Sequence, residues 1–419
     1  MECPRAGSDL GPRSRRDFLA RSGLLALAPR LSERAAAAPP TPDSPPRTPG
    51  FRGVFFNPNV RHAAMEGYPF PVFDPYDPPY REGLRAALRD LAREAAINLV
   101  CLFVPIQFTL ARAGVGPRPG QPVEGWANLT YLKNLAVFVD DCHEAGVSVE
   151  LDLVDNRWIP GRLDGANHIG KPGSGWPVAD DSHCESAATW YAGLIRFVEE
   201  RARHPEQIAL WSMMGNHQLG CAEPVLWGID PGDEILRATE RFVKKVWPAF
   251  RSAGKRPKAA PYLLPIFSNN AYWMAKTPEQ RLSGFSHLKT WLVDDLALPP
   301  DYWPMSSYAF CDPAPDGYHY LRRIVEILGR ENAPRILLTD LKGPGHEHEI
   351  KDSILATAWQ PGNASLRWHR LKCAEYGLAG WWIWAYQDHP GAAQRAGIRG
   401  ADGAWKAELV HALREPLAR

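Results

Sequence analysis

This chain lacks net charge, paired cysteine motifs and, past its first fifty residues, any long hydrophobic run. Its 48 Lys and Arg stand against 47 Asp and Glu, a formal net charge of +1. Without a basic excess it has no electrostatic footprint for nucleic acid or an anionic membrane surface, so nucleic acid is not an expected partner. The seven cysteines form no CxxC pair and show no Cys/His spacing of a zinc site. No segment approaches the roughly 20 apolar residues of a membrane span. No GxGxxG follows the first apolar run, which weakens the case for a dinucleotide-binding open sheet. No internal sequence repeat is present.

The first fifty residues do not read as part of a fold. Ser14-Arg15-Arg16-Asp17-Phe18-Leu19 has the twin-arginine pattern, followed by an apolar stretch at 23–28 and the small-residue run Ala35 to Ala38. The expectation is a twin-arginine signal peptide over 1–38, with export of the folded protein to the periplasm or beyond. Residues 39–50 carry six prolines and read as an extended linker. In an oxidising compartment Cys184 and Cys221, both placed in loops, could form a bridge. Cys101, Cys142 and Cys373 fall within expected strands or helices and read as packed thiols.

From Phe51 onward short apolar runs alternate with longer amphipathic ones. Candidate strands lie at 53–56, 97–104, 147–154, 208–213, 262–267, 305–310, 336–339 and 380–384. Strands buried on both faces read as continuous apolar runs, as these do. Helical patterns follow at 81–95, 131–145, 187–204, 233–253, 278–292, 318–328, 364–376 and 405–413. Eight repeated βα units with right-handed crossovers predict an α/β fold of the (β/α)8 TIM-barrel type, one domain over 51–419.

Such a barrel gathers its functional residues at the C-terminal ends of its strands. Those ends read Asn57 and Asn59; Gln107; Asp155, Asn156, Arg157 and Trp158; Asn216 and His217; Ser268, Asn269 and Asn270; Tyr308 and Asp312; Asp340; and Trp384, Gln387 and Asp388. Amides, carboxylates and aromatics suit a neutral polyhydroxylated ligand, since hydroxyls need paired donors and acceptors and ring faces need Trp or Tyr. The 16 Trp and 13 Tyr agree with that, although most must be core in a barrel of this size.

Several phrases resemble the cellulase-like (β/α)8 glycoside hydrolases. Arg203-His-Pro-Glu-Gln-Ile-Ala-Leu-Trp211 is similar to the family's entry into the fourth barrel strand, and Asn216 matches the Asn that touches the sugar 2-hydroxyl. Pro334-Arg-Ile-Leu-Leu-Thr-Asp340 is similar to the seventh strand and Gly377-Leu-Ala-Gly-Trp-Trp-Ile-Trp384 to the eighth, whose terminal Trp forms a sugar platform. Tyr308 stands where a strand-six Tyr supports the nucleophile. The resemblance implies an oligosaccharide or polysaccharide ligand and no cofactor. It breaks at two places: His217 stands where the family has its acid/base Glu, and Asp340 where it has the nucleophilic Glu.

Retaining glycosidases need two carboxyl groups about 5–5.5 Å apart. Here one shortened carboxylate and one imidazole occupy those places. His217 can serve as a general acid, because an imidazole titrates close to operating pH. An inverting arrangement would draw its second carboxylate from Asp155, Asp312 or Glu223. The candidate site is therefore Asp340 and His217 for catalysis, with Asn216, Trp384, Tyr308, Asp155, Trp158 and Asn269 binding the sugar. Each has a structural alternative: Asp340 as a helix cap, His217 as a satisfied histidine, Trp384 as barrel-top packing. The alternative function is a non-catalytic carbohydrate-binding barrel, followed by a metal-dependent hydrolase using His217, Asp340 and the loop His346-Glu347-His348-Glu349. That loop lacks a helical His-Glu-x-x-His, and no bound metal is expected.

Overall fold

Alternating apolar runs and amphipathic helices give a curled parallel sheet inside a ring of helices. The computed structural model describes residues 50–60, 62–65, 68–112, 115–153, 181–213, 232–261, 278–306, 319–342, 363–388 and 397–415. Its strands are β1 Phe51–Phe55, β2 His62–Met65, β3 Tyr68–Pro71, β4 Leu99–Phe103, β5 Ser148–Leu153, β6 Ile208–Met213, β7 Trp303–Ser306, β8 Ile336–Lys342 and β9 Gly380–Trp384. Seven of them form one parallel sheet in the order β6-β5-β4-β1-β9-β8-β7, while β2 and β3 make a separate antiparallel hairpin that the sequence reading did not foresee. The chain from Pro45 to Arg419 is one compact unit.

The two ends of that sheet are joined. Trp211 of β6 bridges Lys258 in parallel, and Ala259 bridges Tyr302, just before β7. Trp211 N donates to Pro257 O at 2.9 Å and Ala259 N to Trp211 O at 2.8 Å, while Ala260 N donates to Tyr302 O at 2.8 Å. An eighth strand position is thus filled from Lys258, four residues ahead of the expected 262–267, which lies outside the described residues. The expected β7 segment also starts earlier, at Trp303, and 307–310 lies outside the described residues.

The helices are α1 Pro78–Glu94, α2 Ile106–Thr109, α3 Leu129–Ala145, α4 Asp181–Arg201, α5 Gly232–Ser252, α6 Pro278–Lys289, α7 Tyr320–Leu328, α8 Asn363–Tyr376 and α9 Ala407–Arg414. Asp77 caps α1 by accepting from Tyr80 N, with proline in the first turn, where no amide proton is missed. Asn128 caps α3 likewise, and Gly146 ends it at φ 70°, a left-handed conformation cheap for glycine. The pattern expected over 278–292 runs on past α6 as a π-helical turn, Thr290–Asp295. Helix α4 begins six residues before the expected 187, so Cys184 is a buried helical residue and not a loop residue. Cys221 lies outside the described residues. Among the described residues no helix is long and apolar enough to cross a membrane.

Strand alternation divides the core in two. Val54, Val100, Leu102, Leu151, Trp211, Leu338 and Ile383 pack with the helices in the larger cluster. Phe55, Leu99, Cys101, Phe103, Leu210, Ala259, Leu337, Trp382 and Trp384 form a second cluster on the opposite strand faces, inside the barrel. Gly53 pairs with Trp382, and a Cβ on it would lie 2.5 Å from the Trp382 Cβ, so glycine there makes room for the indole.

Candidate functional site

Two buried acids of the barrel interior come from one strand. In Ser148–Leu153 the residues Val149, Leu151 and Leu153 belong to the outer cluster, which leaves Glu150 and Asp152 on the inner face. Both are fully buried. Ser212 of β6 donates its hydroxyl to Glu150 Oε1 at 2.6 Å. Cys101, Glu150 and Asp152 offer ligand atoms within 4.8 Å of one another, a geometry able to enclose a cation or to share a proton. Burial pushes the Glu150 carboxyl up to about 7, against the pull of hydrogen bonds from Ser212 and the Trp382 indole. The expected apolar run 147–154 concealed this pair. The signal was present as two acids at i and i+2, which place both on one face of a strand.

Beside these acids the interior is aromatic. Trp384 ends β9 and stacks on Phe55, with centroids 4.1 Å apart and planes at 7°; Phe103 tilts against both at 4.5 and 5.8 Å. Trp384 is 6% exposed, and its peptide bond to Ala385 is cis. It thus has the barrel-top packing that the sequence offered as its alternative role, with one ring face covered by Phe55.

Three of the strand-end residues are engaged structurally. Asn57 donates to Gln387 O at 2.9 Å and accepts from Gln387 N at 3.0 Å, fastening the end of β1 to the chain after β9. Gln387 Oε1 accepts from Asn59 N at 2.8 Å. Asp388 accepts from Gly397 N and pairs with Lys406 at 2.9 Å. A polar residue after a strand was read as lining, but for these three the partner is backbone or an ion pair.

Asp340 lies within β8 at a register shift. Leu338 pairs with Trp381 and Leu341 with Ile383, so Thr339 and Asp340 together stand against Trp382. Two residues thus oppose one, the register of a bulge. The structure brings Asp340 and Trp384 onto neighbouring strands, as expected for barrel strands seven and eight, with Lys342 paired to Trp384. Asn216, His217, Tyr308, Asp155, Trp158 and Asn269 lie outside the described residues, as do Asp312, Glu223 and the loop at His346.

At the other end of the barrel, Glu199 of α4 gathers the entry of the strand position filled from Lys258. It accepts from the Trp211 indole at 2.9 Å, Lys255 N at 2.5 Å and Arg256 N at 3.2 Å, with Lys258 Nζ at 3.9 Å. Lys258 is 1% exposed, and burial pulls its ammonium down to about 8.

No protein-family model matches the chain, and no curated protein matches it in sequence. Solved structures do. An exo-β-1,4-mannosidase, Op5Man5 from Opitutaceae bacterium strain TAV5, matches 87% of the chain at 15% identity and TM-score 0.52, and the chain spans 58% of its length. A GH5_18 protein from Bifidobacterium longum subsp. infantis matches 88% at 14% identity and TM-score 0.52, over 78% of its own length. The β-glycosidase from the hyperthermophile Thermosphaera aggregans matches 88% at 13% identity and TM-score 0.54, over 96% of its own length. With the closed parallel ring described above, these likenesses give the chain the (β/α)8 barrel fold that those three structures have.

Proposed function

We propose that this is an exported barrel that binds a saccharide at the C-terminal ends of its strands and hydrolyses O-glycosidic bonds there. On this reading Asp340 is nucleophile or electrostatic stabiliser and His217 the proton donor. Asn216 holds the 2-hydroxyl, and Trp384 presents ring surface, with Tyr308, Asp155, Trp158 and Asn269 completing the lining. Residues 1–38 act as the twin-arginine leader and 39–50 as linker.

The observation that carries the reading is the bulge at Thr339-Asp340. Aspartate reaches about one bond less than glutamate, and a misplacement near 1 Å can lower a rate on the order of 100-fold. A bulge bends its strand and re-aims side chains, and bulges are over-represented next to active sites. A backbone adjustment at the shortened residue supports a role for that residue, whereas a barrel kept only for packing has no use for it.

A second reading is a non-catalytic saccharide-binding barrel. It is favoured by the replacement of both family glutamates, by His217 and Asp340. The double variant His217→Glu, Asp340→Glu separates the two on aryl β-glycosides. An active wild type, weakened by Asp340→Asn and by the double variant, establishes His217 and Asp340 as the working pair. An inactive wild type whose double variant gains at least tenfold, about 1.4 kcal/mol in barrier, identifies the binding barrel. If wild type and double variant are both inert on a broad panel with the fold intact, the glycosidase reading is wrong.

A further inference from the structure

Two histidines from separate elements meet at the end of the barrel opposite the proposed saccharide site. His143 lies in the last turn of α3, ahead of β5, and His204 lies between α4 and β6. Both therefore sit where strands begin. Their rings stack with centroids 3.7 Å apart and planes at 4°.

Each ring is held by an oxygen at the same nitrogen. His204 Nδ1 lies 3.0 Å from Glu206 Oε1, and His143 Nδ1 lies 3.4 Å from Gln207 Oε1. The Gln207 amide orientation is itself supported by its Nε2, which is 3.5 Å from Ser148 Oγ. Carboxylate and amide oxygens only accept, so in the neutral rings the hydrogen belongs on Nδ1 and Nε2 is the nitrogen able to ligate.

We infer that His143 and His204 form a binding site for a divalent transition ion of the zinc class, with Glu206 as the group that orients His204. Three features support this. Imidazole nitrogens suit zinc, copper and nickel. A ring nitrogen of each histidine and a carboxylate oxygen of Glu206 lie within 4.8 Å of one another, so the two imidazoles and the orienting carboxylate form one cluster. A carboxylate on the far nitrogen of a ligating histidine fixes its tautomer and raises its basicity. Zinc holds nitrogens at about 2.0–2.1 Å, so the rings must splay from their stack to converge on one ion. His143 is exposed, so its ring can move without opening the core. Water completes the coordination. Such an ion would fasten the C-terminus of α3 to the chain entering β6, a structural role at the face of a barrel that governs stability and not chemistry.

The test is calorimetric titration of the full chain with Zn²⁺, in a His346→Ala, His348→Ala background so that the histidine-rich loop contributes nothing. The expected result is one saturable Zn²⁺ ion per chain. His143→Gln and His204→Gln should each abolish it, while Glu206→Gln weakens it by about 10–100-fold. Zn²⁺ should also raise the thermal midpoint of the background protein and not that of its His143→Gln derivative, with circular dichroism confirming equal folding. No saturable binding in the background protein overturns the site. So does a Zn²⁺ titration unchanged by both histidine substitutions.

Discussion

Trp384 lies flat on Phe55 inside the barrel, 4.1 Å between centroids and 7° between planes. The residue proposed as a sugar platform is therefore also part of the interior that holds β9 to β1. Removing its indole removes both roles at once.

Trp384→Ala should lower stability by about 3–5 kcal/mol, the usual range for a buried aromatic replaced by alanine. Trp384→Phe should keep most of that stability, since a ring remains against Phe55. Urea denaturation measures both. An alanine variant as stable as wild type would show that the stack does not support the fold.

Glu150 makes stability depend on pH with a defined sign. Its folded value of about 7 lies above the ordinary 4.5, so the folded state holds the proton more tightly. The resulting stabilisation is complete below pH 4.5 and lost as pH rises through 7, by about 3 kcal/mol at most. Glu150→Gln keeps an acceptor for Ser212 without the charge and should flatten the profile across that window. Parallel pH profiles for wild type and variant, read from denaturation midpoints, would contradict a buried neutral acid.

Glu199→Ala should destabilise by about 3–5 kcal/mol, because it strips the carboxylate from a buried lysine and leaves the Trp211 indole without its acceptor. Glu199→Ala with Lys258→Met should recover part of the loss, since the second change removes the stranded charge. Thermal unfolding of the single and double variants gives the coupling. Strictly additive effects would argue that the two groups do not interact.

Arg15→Lys with Arg16→Lys should keep the protein in the cytoplasm, because the proposed leader is recognised through its arginine pair and not through charge alone. Cell fractionation decides this. Unchanged export would remove the twin-arginine assignment.

The barrel was legible because both of its periodicities are simple. Runs such as Leu99–Phe103 and Gly380–Trp384 are apolar throughout, and the helices between them carry capping residues such as Asp77 and Asn128. Three features were less legible. The strand position filled from Lys258 opens on a charge that breaks the apolar signal and is met by the Glu199 carboxylate, 59 residues away in the chain, and by the Arg256 carbonyl. The hairpin His62–Met65 with Tyr68–Pro71 is too short for periodicity to separate it from a loop. Glu150 and Asp152 escaped because a run read as apolar on average hides what its alternate positions do.

Strand-end position is a coarse guide to ligand contact. Asn57 and Asp388 follow strands as binding residues would, yet their partners are the backbone of Gln387 and the ammonium of Lys406. Sequence position locates the end of a strand. It does not say whether an amide there faces a ligand or ties the chain to itself.

The closure at Pro257–Ala260 also bears on how copies of this protein meet. With Trp211 bonded on one side and Tyr302 on the other, the barrel sheet presents no outermost strand at that level. An open sheet of this composition would offer a row of unsatisfied amides and carbonyls onto which a neighbour's strand could add. Here, among the described residues, that ladder is internal, so sheet-to-sheet growth at that level requires the ring to open first.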